Sequence, residues 1–84
     1  DSRNALTVLD KPAVISRKEQ FGTYISFFSM SDQVEGLTLT GFKYPLHEYT
    51  MTNFDGIGVS NEIQEETAKV EFSKGLVLMV MSRD

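Results

Sequence analysis

The oxygen-bearing side chains Asn53, Asp55 and Glu62 stand, with Gly56, where a twelve-residue calcium loop opening at Met51 would place its third, fifth, twelfth and sixth residues. Calcium needs hard oxygen ligands, and methionine supplies none at the opening position. Gly58 replaces the usual apolar eighth residue, and Pro45 with the Thr-rich run after it argues against an entering helix. The same residues read more simply as an Asp55-Gly56 hairpin turn, because both positions tolerate positive φ, and no metal is expected. His47 is the only histidine and there is no cysteine, so nucleophile-and-base arrangements lack parts. After Pro45-Leu46, His47 reads as a solvated turn residue. Carboxylates are plentiful, yet their spacing shows no acid/base pair. No catalytic residue and no cofactor are expected, and the chain reads as non-enzymatic.

The stretch Phe42-Lys43-Tyr44-Pro45-Leu46-His47-Glu48-Tyr49 gathers aromatics around a rigid proline. Phe42 reads as core. Tyr44 and Tyr49 are candidates for contact with a protein partner, since tyrosine supplies area at low entropic cost. With Tyr24 and Phe28 they provide the alternative, a small β-barrel that stacks single-stranded bases or another ligand on exposed rings. Charge disfavours nucleic acid. Residues 32–66 carry seven acidic groups against the single Lys43, and the whole chain is at −4, whereas phosphate binding needs the opposite sign.

These residues need elements to hold them. Residues 5–9 form a short apolar strand ended by Asp10-Lys11-Pro12, where Pro12 removes a donor. Ser16-Arg17-Lys18-Glu19 fits a capping box and Phe21, Tyr24, Ile25 and Phe28 follow at helical spacing, but the filling of residues 22–28 is aromatic, β-branched and glycine-containing, which predicts a strand. Leu37-Thr38-Leu39-Thr40 alternates as a half-buried strand, and the alternation resumes one step out of phase after Gly41, as at a bulge. Residues 49–54 and 57–59 flank Asp55-Gly56. Residues 61–67 suit a loop or short helix capped by Asn61, and a hairpin turning at Ser73-Lys74-Gly75 is expected over 68–82.

The last of these strands contains Leu76-Val77-Leu78-Met79-Val80-Met81, apolar on both faces. An 84-residue fold has one core to offer, so the second face wants a partner. Leu76, Leu78 and Val80 are assigned to the core, and Val77, Met79 and Met81 to an adaptable, Met-rich partner-binding face.

With 40% hydrophobic residues and no disulfide, residues 1–84 read as one small domain stabilised by packing or assembly. No stretch approaches the roughly 18 apolar residues of a membrane span. The chain opens on Asp1 rather than methionine, as a processed, excised or trimmed chain would, and nothing at this end resembles a targeting segment. The expected fold is mainly β, a small antiparallel barrel or sandwich of five to seven strands with at most one short helix. The alternative is α+β with a helix at 16–30 or 61–73. The expected function is an interaction or structural module that self-associates or docks into a larger protein assembly. Isothermal titration with calcium is expected to give no heat; a saturable signal would restore the calcium-loop reading.

Overall fold

The β-branched and aromatic filling of the chain becomes seven strands in the computed structural model, which describes residues 4–53 and 60–83. They are β1 (Asn4–Leu9), β2 (Ala13–Ser16), β3 (Tyr24–Ser29), β4 (Gln33–Thr40), β5 (Leu46–Thr52), β6 (Thr67–Glu71) and β7 (Val77–Ser82). Two antiparallel sheets result, one ordered β1-β7-β3 and the other β2-β6-β4-β5. The mainly β expectation is met in its sandwich form.

The core lies between the sheets. Ile25 and Phe27 of β3 and Val77, Met79 and Met81 of β7 come from one side; Val34, Leu37 and Leu39 of β4, Met51 of β5 and Ala68 and Val70 of β6 come from the other. The alternation of Ile25 with Phe27, of Leu37 with Leu39, of Ala68 with Val70 and of Val77 with Met79 and Met81 is the sequence signature of a face packed on a core.

Two elements carry the competing helical signal of the sequence. The Ser16 capping box is present, with Lys18 N donating to Ser16 Oγ at 3.3 Å and Ser16 N donating to Glu19 Oε1 at 3.4 Å. It starts only a 3-10 turn over Arg17–Glu19, after which residues 24–29 are extended. Residues 67–71 are likewise strand, and the chain just before them makes only isolated bridges at Asn61 and Ile63.

The expected hairpin over 68–82 does not form, because β6 and β7 belong to different sheets. Residues 72–76 cross from one sheet to the other, tied on the way by Ser73 N donating to Glu35 O at 2.8 Å and Glu35 N donating to Lys74 O at 2.9 Å. Gly75 makes the crossing possible. Its φ is +110°, and a Cβ there would come within 2.6 Å of Gln33 O. The bulge also sits elsewhere than expected: register shifts occur along β4 between Val34 and Leu37, around Gly36, whereas Gly41 ends the strand. The predicted Asp55-Gly56 turn lies outside the described residues.

The crossing also reverses the faces of the terminal strand. Val77, Met79 and Met81 point inward and are at most 9% exposed. Leu78 and Val80 point outward, in rows with Val8 and Phe28 and with Leu6 and Ser26. The assignment of Val77, Met79 and Met81 to an outer face is therefore corrected: a hairpin from β6 would have set one parity, and the crossing sets the other. Met79→Lys would place an unpaired cation in the core at a cost on the order of 3–5 kcal/mol. Leu78→Lys can lay its stem along the half-exposed outer face and keep its charge in water, for about 1 kcal/mol. Chemical denaturation of the two variants should show Met79→Lys unfolded or severely weakened and Leu78→Lys folded; the opposite order would reverse the facing of β7.

Candidate functional site

Between the described residues of β5 and β6, the segment around Asn61 to Ile63 spans the gap between the two sheets. On one side Asn61 and Ile25 exchange backbone hydrogen bonds, each 2.7 Å, at the free edge of β3. On the other, Ile63 bridges Phe42 and Lys43 N donates to Glu62 O at 2.8 Å. The segment thus ties the β3 edge to the chain that leaves β4.

That chain turns at Gly41. Its φ is +84°, and a Cβ would meet Thr67 O at 2.6 Å, so a side chain is excluded by both backbone strain and space. Gly41 O accepts from Gln64 N at 2.9 Å, which holds the turn to the second segment. Phe42 then drops into the core and meets Phe27 edge-on, with ring centroids 5.5 Å apart and planes at 90°. Lys43 and Tyr44 are left at the surface, Tyr44 at 55% exposure.

Asn61 fixes Tyr44. The residue is 2% exposed, and both ends of its side-chain amide are engaged: Tyr44 N donates to Asn61 Oδ1 at 2.9 Å, Asn61 Nδ2 donates to Tyr44 O at 2.8 Å, and Glu62 N donates to Oδ1 at 3.0 Å. An asparagine that pairs with both backbone groups of one residue copies a strand neighbour with its side chain. The preceding residue, Ser60, has φ +60° and donates its N–H to Ser26 Oγ at 3.0 Å, so the entry to this segment is also pinned.

The product is a small electrostatic cluster on a rigid base. Lys43 Nζ lies 5.5 Å from the centroid of the Tyr44 ring and 3.7 Å from Glu62 Oε2. The Tyr44 phenol and then the Glu62 carboxylate raise the Lys43 ammonium above its ordinary pKa, since both favour its charged form. An exposed aromatic face and a carboxylate converging on one ammonium form a place where a positive charge is held.

Of the residues singled out from sequence, only Tyr44 belongs to this cluster. Tyr49 is half-buried against the core, and Val77, Met79 and Met81 are within it. His47 is exposed on β5, and no group of three or more histidine, aspartate and glutamate side chains converges on a metal position among the described residues. Sequence reasoning missed Lys43, Asn61 and Glu62. Asn61 was legible only as a cap and Glu62 only as the end of a calcium loop, because their roles depend on partners distant in sequence, Tyr44 for Asn61 and Lys43 for Glu62. Asn61→Ala is expected to strip both backbone groups of Tyr44 of their partners and cost about 2–4 kcal/mol. A thermal melt should show this loss, and Asn61→Asp, which keeps the acceptor and removes the donor, should fall between alanine and wild type. Unchanged stability in both would remove the clamp.

Comparison with known proteins gives this cluster a context. Residues 13–77, which include both of its segments, match the family described as thiamin pyrophosphokinase, vitamin B1 binding domain. The chain is 33% identical over all 84 residues to the thiamine pyrophosphokinase of Bacillus subtilis, and covers 39% of that protein. The crystal structure of thiamine pyrophosphokinase from Bacillus subtilis superposes with a TM-score of 0.90 at 34% identity, over 98% of this chain and 38% of that one. That of thiamin pyrophosphokinase from Geobacillus thermodenitrificans gives 0.87 at 31%, over 100% and 39%. The chain therefore spans about two-fifths of the length of these relatives. These findings overturn the expectation of a non-enzymatic interaction or structural module; of its alternative, a barrel for single-stranded nucleic acid or another ligand, only the ligand-binding half agrees with the family's description. That expectation arose from treating the greasy terminal strand as an interface, whereas its Met-rich face is spent on the core. Among the described residues no helix is long and apolar enough to cross a membrane. The chain belongs to the thiamin pyrophosphokinase, vitamin B1 binding domain family.

Proposed function

We propose that this chain is the vitamin-binding part of a thiamin pyrophosphokinase and that it receives thiamin at the cluster built on Tyr44 and Glu62. Thiamin joins an aminopyrimidine ring to a positively charged thiazolium ring. Flat rings and a delocalised cation are the chemistry that an exposed aromatic face and a nearby carboxylate attract. The observation that carries this reading is the pairing of Asn61 with both backbone groups of Tyr44, which presents the ring at 55% exposure on a base that does not reorganise. A preorganised ring loses little on binding, whereas a ring on a free loop would have to be ordered by the ligand.

Pyrophosphoryl transfer itself needs groups that cradle phosphates and activate a hydroxyl, and the relatives extend well beyond this chain. In this reading the chain contributes the vitamin side of the site and the remainder of such an enzyme contributes the transfer chemistry.

Calorimetric titration of the protein with thiamin should give saturable binding. Removing the ring by Tyr44→Ala should weaken it by roughly two- to thirtyfold, the range of a cation–π contact of about 0.5–2 kcal/mol, while Tyr44→Phe should stay close to wild type. Absence of saturable binding, or full affinity in Tyr44→Ala, would sink the assignment.

A further inference from the structure

The cation position formed by the Tyr44 ring and Glu62 already holds a cation of the chain itself. We infer that Lys43 is a built-in competitor for the ligand's positive charge: thiamin binds by displacing the Lys43 ammonium from Glu62 and from the ring, so that recognition is an exchange of one cation for another. This inference rests on the proposed thiamin site and adds a threshold for occupying it.

The geometry supports such an exchange. Lys43 Nζ is 3.7 Å from Glu62 Oε2, with the two side chains 44% and 36% exposed, so the ion pair is loose, wet and readily broken. The same ammonium is 5.5 Å from the centroid of the Tyr44 ring, within range of cation–π attraction. The Lys43 backbone, by contrast, is fixed by its hydrogen bond to Glu62 O at 2.8 Å. The stem can therefore swing away while the site keeps its shape. The only other Lys or Arg side chain in the ion pairs of the described residues, Lys74, is engaged with Glu35 in the crossing between the sheets.

Exchange has a selective consequence. A neutral ring that displaces Lys43 leaves Glu62 without a counter-charge and gains nothing in return, whereas a thiazolium replaces what it removes. Lys43 thus raises the threshold for every ligand, and the carboxylate it vacates rewards only a ligand that brings a positive charge of its own. Two unit charges a few ångströms apart in water-like surroundings repel by enough to change affinity roughly three- to tenfold, and salt screens the effect.

The test compares thiamin binding to wild type, Lys43→Met, Lys43→Gln and Lys43→Arg by calorimetry, at low salt and near 1 M salt, with thermal melts as the folding control. The expected result is a three- to tenfold tighter complex at low salt in both neutral variants, a gain that shrinks at high salt, and wild-type affinity in Lys43→Arg. Equal or weaker binding in Lys43→Met and Lys43→Gln, while Tyr44→Ala still loses affinity, would overturn the competitor role and leave the thiamin site standing. No saturable binding in wild type or in any variant would overturn the thiamin site, and the competitor role with it.

Discussion

The side chain of Asn61 holds together what the two sheets cannot. In a sandwich each sheet satisfies its own backbone, and only side-chain packing joins one to the other. Here one asparagine takes part in both systems at once: its backbone continues the edge of β3, and its side chain pairs with the backbone of Tyr44 on the loop leaving β4. A buried amide tolerates this only because each of its groups has a partner; left half-satisfied, it would cost more than an apolar residue in its place. The consequence is that the position of the Tyr44 ring is determined by the closure of the sandwich. Phe42, two residues earlier, is set by the same closure through its edge-to-face contact with Phe27. The surface cluster is therefore an outgrowth of the core, and anything that opens the sandwich at this side also moves the ring.

Much of the fold was legible in sequence because period-two alternation reports burial directly. Leu37 and Leu39, and Ala68 and Val70, alternate as expected and are buried. The contest at residues 16–29 was also decided by local chemistry, since aromatic and β-branched residues disfavour the helix that the spacing allowed, and the capping box yielded only one 3-10 turn. What failed was connectivity. Ser73-Lys74-Gly75 has the composition of a hairpin loop, and local sequence cannot reveal that the next strand enters the opposite sheet. For a strand apolar on both sides, parity then follows from topology alone, and the faces of β7 came out reversed.

The functional cluster was less legible still, for a related reason. Tyr44 was visible as an exposed aromatic next to a proline. Lys43, Asn61 and Glu62 are ordinary residues whose meaning comes from long-range pairing, and neither charge nor spacing marks them. The acidity of residues 32–66 disfavours a polyanion, yet it gave no hint that one of those carboxylates, Glu62, shares a small site with the only lysine of that region.

The place of β7 carries one more implication. It is the last of the seven strands to be made and the middle strand of its sheet, flanked by β1 and β3, neither of which pairs with the other. During synthesis β1 and β3 must therefore wait for β7 to emerge before their sheet can form, while β2, β4, β5 and β6 can assemble ahead of it. Completion of this sheet is thus a late, long-range event, in which β7 acts as a keystone between β1 and β3.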